Sequence, residues 1–258
     1  SQHGLFYTYL VETYGEGFAK DYLSANQEAI ENIKNIIDDE NITCDFERQS
    51  NFVYTTNPNE VPQIKKEFDV LNALGLSANF VTKTGLPFDV AGAVQFKDQA
   101  QFNPIKYVNG LAKCISKYNG EIFTNTTVTD VKKIGDNFYI FTPNNVVTSK
   151  YVILASHYPF INFPGIYFFK MYQASSYVIG VDVKKTLNNG MYITASAPTF
   201  SFRTANYNGK KILLLGGCGH KTGTPAPYED TYGTLENYAK QLYPNCEILF
   251  RWNTRDCI

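Results

Sequence analysis

The sequence contains no apolar run long enough to cross a membrane as a helix, and its first residues have neither the basic start nor the apolar core of a signal peptide. Lysine and arginine are scattered rather than clustered, and the formal net charge is −1. The chain therefore lacks the basic surface that binds nucleic acid or an anionic membrane. These absences predict a cytoplasmic protein with no membrane span and no nucleic-acid partner, whose partner is a small molecule.

Cysteine and histidine are scarce as well. The five cysteines have irregular spacings without a Cys-x-x-Cys pair, which argues against a disulfide framework and against a metal knuckle. His157 and His220 have no second ligand at metal spacing, so no metal is assigned. Cys218, in a glycine loop near His220, could be a thiolate nucleophile or a small filler at a strand end, and the second interpretation is favoured.

The composition predicts a folded core, because 44% of the residues are hydrophobic and 15% are aromatic. Residues 151–155 form a short apolar run without alternation, which predicts a strand buried on both faces at the centre of a sheet. Two hairpin strands, 138–142 and 146–148, precede it, and a further strand is expected within 121–131.

Apolar residues at helical spacing predict a long helix that ends before Asn41 and three more helices, at 60–74, from Asn103-Pro104 to Gly120, and at 231–242. The remaining pattern predicts short strands. They are expected at 44–47, 51–56, 86–90, 93–96, 175–183, 191–194, 200–204, 211–216 and 247–252, with hairpin turns at 188–190 and at Asn208-Gly209.

Several short motifs, taken in order, resemble a known family. They are Ser1-Gln2-His3-Gly4, Tyr14-Gly15-Glu16-Gly17, Val128-Thr129-Asp130-Val131, Val152-Ile153-Leu154-Ala155-Ser156 and Trp252-Asn253-Thr254-Arg255-Asp256. Together they are similar to the interior of an FAD-dependent oxidoreductase of the D-amino-acid oxidase and glycine oxidase superfamily. The motifs 157–160 and 219–223 resemble a branch whose members often carry a Rieske iron–sulfur domain further along the chain.

The resemblance implies an α+β fold with two interleaved parts. Residues 1–42 and 92–165 would form a partial FAD-binding, Rossmann-like layer. Residues 43–91 and 166–258 would form a substrate domain, a mostly antiparallel sheet flanked by helices. Strands 44–56 and 175–183 are expected to belong to the same sheet.

The resemblance also implies cofactor contacts for FAD, at Ser1, His3, Gly4, Val128, Ala155 and Ser156. The turn from Ser1 to Gly4 would run close to the flavin ring. Val128 would offer its backbone to the adenine end, although it could equally be a core strand residue. Ala155 and Ser156 would turn beside the ribose and pyrophosphate, where small residues permit close approach.

Arg203 is the candidate for a clamp on a substrate carboxylate, because a guanidinium grips a carboxylate with two hydrogen bonds and is always charged. A solvated strand charge is the competing interpretation. Tyr172 could wall an aromatic substrate pocket, or it could simply pack. No catalytic side chain is assigned, since in this superfamily the flavin carries the redox chemistry.

A Gly-x-Gly-x-x-Gly fingerprint, with which such a flavoprotein normally begins, is absent from the sequence. We therefore expect a fragment that lacks both ends of the cofactor site, is inactive by itself and is colourless when purified. Its parent would be an FAD-dependent oxidoreductase that oxidises a C–N bond of an amino acid or related amine. The alternative is a non-catalytic binding module that has lost the cofactor.

Overall fold

The computed structural model describes residues 4–184, 188–226 and 228–257. The α-helices within these ranges are α1 (Phe6–Tyr14), α2 (Glu16–Asp39), α3 (Val61–Ala73), α4 (Pro104–Lys117) and α5 (Thr231–Leu242). The strands are β1 (Glu47–Thr55), β2 (Ala78–Val81), β3 (Gly92–Gln101), β4 (Asp130–Ile134), β5 (Asn137–Phe141), β6 (Val146–Ser149), β7 (Gln173–Asp182), β8 (Met191–Thr194), β9 (Phe200–Tyr207), β10 (Lys210–Lys221) and β11 (Glu247–Cys257).

Eight strands form one sheet in the order β11-β7-β10-β9-β8-β1-β3-β2, and β4, β5 and β6 form a separate antiparallel meander. Neighbouring strands of the large sheet are antiparallel except β1 and β8, which run parallel. The predicted mixed fold with a mostly antiparallel sheet and flanking helices is confirmed. The two strands predicted to share a sheet, β1 and β7, do so.

The two faces of the large sheet are covered differently. Helix α5 packs Leu235 and Ala239 against one face, where Phe202 and Leu215 belong to the same buried cluster. On the other face, α1, α2 and α3 pack in a cluster with residues of β1, β2 and β3 such as Val53. Strands β9, β10, β7 and β11 contribute no buried residue to that second cluster. Within the described residues, α1, α2 and α3 therefore leave this half of the sheet face uncovered, and we refer to it as the open half.

A buried carboxylate fixes the position of α1. Glu67 on α3 is fully buried, and its two oxygens accept hydrogen bonds from the backbone N–H groups of Tyr7 (2.9 Å) and Thr8 (2.8 Å) and from the Thr8 hydroxyl (2.5 Å). The first N–H groups of a helix have no partner inside the helix and carry partial positive charge. Glu67 satisfies two of them and joins α1 to α3.

Residues 151–155 do not form the buried central strand that their composition predicts. They have no regular structure, and the side chains of Tyr151 and Ile153 are 84% and 90% exposed. A strand is buried only between neighbouring strands and covering layers, and the described residues provide neither at this position. The prediction of a buried strand is wrong for this chain.

Other local predictions differ from the structure in smaller ways. The turn at 188–190 is not a hairpin, because β7 and β8 are separated in the sheet by β10 and β9. Residues 86–90 form no strand, and the strand expected within 121–131 begins at Asp130. Helix α1 was not predicted. By contrast, Asn208 and Gly209 both have positive φ, 49° and 75°, as a tight hairpin turn requires.

The predicted boundary at Gly92 falls at the first residue of β3. This strand pairs with β1 along its length and so lies in the large sheet. The division of the chain into an FAD-binding part and a substrate domain stays a prediction.

Replacing Glu67 by Gln should lower the free energy of unfolding by about 2–4 kcal/mol, because an amide offers one acceptor oxygen and turns an NH2 group toward backbone donors. Urea denaturation measures this. The matched control is Glu12→Gln, since Glu12 forms an exposed ion pair with Lys66 on the same helices and its loss should change stability little. Equal effects for the two variants would contradict the capping role of Glu67.

Glu40 provides a pH-dependent link between the ends of α2 and α4. Hydrogen bonds from Lys117 (2.7 Å) and then Tyr118 (2.6 Å) lower its pKa from 4.5 to about 2. A lowered pKa means that the contribution to stability is complete above pH 4.5 and is lost as the pH falls toward 2. NMR titration should find the Glu40 carboxyl ionised at pH 3 in the unmodified protein, and its titration midpoint should move up toward the ordinary value in Lys117→Met, where the Tyr118 hydrogen bond remains. An ordinary midpoint in both proteins would refute this link.

Candidate functional site

The open half of the sheet face carries Arg203. Its neighbour on β9, Phe202, is buried in the cluster with α5, so alternation along the strand places Arg203 on the opposite face. Its cross-strand partner on β10 is Leu214. Further across the sheet, β11 presents Phe250 and Trp252, which are 38% and 39% exposed. This surface combines one cation with large apolar side chains.

A gap in the sheet begins beside Arg203, because β8 is only four residues long. Strand β8 pairs with β1 from Asn51 onward, whereas β1 starts at Glu47. On its other side β8 pairs with the beginning of β9, which continues to Tyr207. Among the residues that the structure describes, no strand lies between β1 and β9 beyond Met191, the first residue of β8. The backbone register therefore creates a slot in the sheet.

A cavity of about 410 Å³ occupies this region. Its apolar wall includes Met191, Leu214 and Trp252, and its polar residues include Glu47 and Arg203. The other lining residues are Asp45, Ala100, Gln101, Phe102, Asn103, Pro104, Thr204, Ala205, Asn206 and Lys211. The volume is within the usual range of pockets that bind small organic ligands.

The charged residues of the cavity are paired with one exception. Lys211 lies 3.2 Å from Glu47, and Lys106, just outside the lining, lies 2.7 Å from Asp45. Among the residues that the structure describes, the guanidinium of Arg203 has neither an ion pair nor a hydrogen bond. Arg203 is thus the cation of this cavity that is free to bind a ligand.

Glu47 is held in its charged form. Its partial burial acts to raise the pKa, but hydrogen bonds from Gln49 (3.1 Å), Lys211 (3.2 Å) and Gln101 (3.2 Å) outweigh burial and leave the pKa below its ordinary value. Glu47 therefore stays ionised at neutral pH and balances the charge of Lys211.

Tyr172, the other predicted substrate residue, lies far from Arg203. Arg203 pairs with Leu214, and Leu214 pairs with Gly180. Tyr172 precedes β7, eight residues before Gly180, which is roughly 25 Å along an extended chain. It is 45% exposed, and the ammonium of Lys221 lies 5.1 Å from its ring centroid. The structure does not bring Tyr172 and Arg203 together.

The cysteine and histidine considered as reactive groups have structural surroundings. Cys218 is buried, and burial raises the pKa of its thiol, which disfavours the nucleophilic thiolate. The His220 ring stacks on Tyr177 with the centroids 5.7 Å apart. His157 is exposed. No set of three His, Cys, Asp or Glu side chains in the described ranges is arranged to hold a metal ion.

The residues expected to contact FAD lie apart from the cavity. Ser1 and His3 are outside the described residues, and Gly4 is half-buried just before α1. Val128 is half-buried shortly before β4, while Ala155 and Ser156 are exposed in the irregular segment. None of them lines the cavity beside Arg203.

The backbone at 152–156 is compatible with contact to the adenosine part of FAD. Within the part of the chain that the structure describes, its N–H and C=O groups form no hydrogen bonds. Backbone polar groups in folded proteins are normally paired. Small exposed residues such as Ala155 and Ser156 also leave room for a nucleotide to approach the main chain.

Sequence reasoning identified Arg203 but missed the rest of this cavity. Glu47 and Lys211 are 164 residues apart, and no local pattern connects them. Trp252 was noted only within a family motif, and no local pattern marks it as part of a pocket wall.

Comparison with known proteins gives one family match that spans nearly the whole chain. The family model described as FAD-dependent oxidoreductase matches residues 2–257. The protein YhfW of Bacillus subtilis (strain 168) is 32% identical to this chain over 259 residues. Its name describes it as a proposed Rieske 2Fe-2S iron–sulfur protein. That match covers 100% of this chain and 51% of the relative, so the chain spans about half the relative's length.

Solved structures show the same fold at low identity. Glycine oxidase from Geobacillus kaustophilus aligns with a TM-score of 0.72 and 14% identity, over 93% of this chain and 66% of that protein. L-Proline dehydrogenase from P. horikoshii aligns with a TM-score of 0.69 and 14% identity, over 89% and 65%. These structures show that the chain shares the fold of glycine oxidase and L-proline dehydrogenase. The family match over residues 2–257 shows that the chain is a member of the FAD-dependent oxidoreductase family.

Proposed function

We propose that the full-length protein removes hydride from a C–N bond of an amino acid or related amine and passes it to FAD. The family assignment and the C–N oxidases among the solved structures support the reaction type. The single observation that carries the substrate assignment is Arg203, a cation without a partner among the described residues, at the edge of a cavity of about 410 Å³.

Arg203 suits a carboxylate for geometric and electrostatic reasons. A guanidinium presents parallel N–H donors that match the two oxygens of a carboxylate. The neighbouring side chains Met191, Leu214 and Trp252 are apolar, whereas the Arg203 side chain itself is exposed, so water screens part of the attraction and the bidentate geometry contributes the specificity. A clamp at one end of the substrate fixes the orientation of the C–N bond relative to the sheet.

FAD would serve as the hydride acceptor, and this chain would contribute contacts to its adenosine part through Val128, Ala155 and Ser156. The contributions of Ser1, His3 and Gly4 near the flavin ring rest on the family resemblance alone. No side chain is proposed as an essential acid or base, because binding and orientation are what the protein must supply to such a cofactor.

The cellular location belongs to the same proposal. No helix in the described residues is both long enough and apolar enough to cross a bilayer. A cytoplasmic location is proposed from the sequence pattern alone, and cell fractionation of the full-length protein tests it.

Arg203→Lys should raise the KM of the full-length enzyme for its carboxylate substrate at least tenfold, because lysine keeps the charge but cannot form the bidentate pair. Steady-state kinetics measures this. Arg255→Lys is the matched control, since Arg255 is an exposed arginine of the same sheet that does not line the cavity. An unchanged KM in Arg203→Lys would contradict the clamp and support the competing interpretation, in which Arg203 is a solvated charge on a strand.

The 258-residue chain by itself should bind no stoichiometric FAD. The 258 residues contain no Gly-x-Gly-x-x-Gly turn for the pyrophosphate, and losing several charge-assisted hydrogen bonds of about 1.5–3 kcal/mol each weakens binding by many powers of ten. Absorbance in the flavin band during an FAD titration measures this. A yellow protein with one flavin per chain would contradict the prediction, and a full-length protein without FAD would favour the non-catalytic binding module.

A further inference from the structure

The two edges of the large sheet differ in length. The sheet begins with β11 and ends with β2, and these strands have eleven and four residues. An edge strand presents a row of backbone N–H and C=O groups that can pair with another chain, and a very short edge offers few of them. Strand β11 is therefore the edge that can accept a further strand.

The outer backbone of β11 has no partner among the described residues. Its inner side pairs with β7 from Glu247 to Cys257. On the other side, the described ranges supply neither a strand nor a backbone hydrogen bond to β11. The strand contains no lysine and no proline, which natural proteins place on edges to repel other strands. Its irregularity lies between Ile248 and Phe250, so the part from Phe250 onward is a regular template for pairing.

The charges along this regular part limit the kind of partner that fits. Arg251 donates a hydrogen bond to Glu236 on α5, so its charge is already balanced. The residues that follow, Trp252 to Thr254, are exposed and uncharged. This stretch favours a partner strand that is likewise uncharged and partly apolar over a strongly acidic or basic peptide.

A second copy of β11 meets this description and fits it in one register. Two copies related by a two-fold axis pair antiparallel, with one residue opposite itself. When this residue is Trp252, Arg251 lies opposite Asn253 and no like charges meet. Moving the axis by one residue in either direction places Arg251 opposite itself or opposite Arg255. Like charges directly opposite each other are destabilising, so the register centred on Trp252 is favoured.

We propose that a second copy of this chain pairs with β11, antiparallel and with Trp252 on the two-fold axis, so that one sheet runs through both copies. Backbone hydrogen bonds provide the affinity, and the side chains fix the register. Because Trp252 lines the cavity beside Arg203, the pairing places a wall of both cavities next to the dimer axis. The contact is small, so we expect a weak and reversible dimer. The proposal needs neither FAD nor a substrate and is independent of the proposed function.

Cysteine cross-linking tests the register. In Trp252→Cys the new cysteines lie directly opposite each other, where Cα atoms of an antiparallel pair are about 4.5–5.5 Å apart, within the range for a disulfide. Asn253→Cys is the matched control, because its two copies are offset by two residues and lie roughly 8 Å apart, beyond that range. Mild oxidation of the full-length protein should link Trp252→Cys into a dimer and Asn253→Cys about tenfold less. Peptide mass spectrometry identifies the linked cysteine, since the chain has five others.

Charge at position 253 provides a second test. Asn253→Arg places an arginine opposite Arg251 at two symmetric positions and should weaken dimerisation about tenfold. Asn253→Asp places a carboxylate there instead and should strengthen dimerisation. Sedimentation velocity of the full-length protein measures both dissociation constants, and circular dichroism confirms that each variant keeps the fold.

A full-length protein that stays monomeric at high micromolar concentration would overturn the proposal. Equal cross-linking of the two cysteine variants, or weaker dimerisation in both charge variants, would do the same. Hydrogen exchange detects another occupant, because protected β11 amides in a monomer would show that a different segment of the full-length protein covers this edge, which also overturns the proposal. None of these measurements involves flavin or turnover, so their failure leaves the proposed function untouched.

Discussion

The structure depends on the pairing of β8, a strand of four residues that joins the two halves of the eight-stranded sheet. It runs parallel to β1 on one side and antiparallel to β9 on the other. Hydrogen bonds on both edges hold it in place, and Tyr192 from this strand stacks on Phe52 in the core with the ring centroids 4.8 Å apart. Because β8 begins only at Met191, while β1 and β9 extend past that point, the same pairing that closes the sheet also leaves the cavity beside Arg203.

The unequal cover of the sheet determines which side of the cavity can take a ligand. Helix α5 and its cluster fill one face, and α1, anchored by the buried Glu67, covers part of the other together with α2 and α3. Strands β9, β10, β7 and β11 keep an open face on that second side, and it is there that Arg203 and Trp252 lie. Packing and charge pairing in the described residues therefore point to one surface.

Regular elements with local signals could be predicted from the sequence, and features made by distant residues could not. Asn103 caps α4 through a hydrogen bond from the Lys106 N–H group, and its side chain followed by proline is a local pattern. The run at 151–155 was misread, because apolar composition favours burial but does not supply the neighbouring strands and covering layers, and in the described residues Tyr151 and Ile153 are exposed. The Glu47–Lys211 pair joins β1 to β10 and leaves no trace in local sequence. Arg203 could be named as a candidate, but its lack of a partner becomes evident only when the strands are aligned.

The central claim is that Arg203 is the unpaired cation of a ligand cavity, and side-chain NMR of the arginines tests it most directly. The chain has four arginines, so their Nε–H signals can be followed individually. Arg48 and Arg251 are already paired with Glu31 and Glu236, and Arg255 lies outside the cavity. On addition of butyrate, a small monocarboxylate, the account predicts a saturable shift confined to Arg203. Shifts of similar size at all four arginines, or none at Arg203, would contradict it.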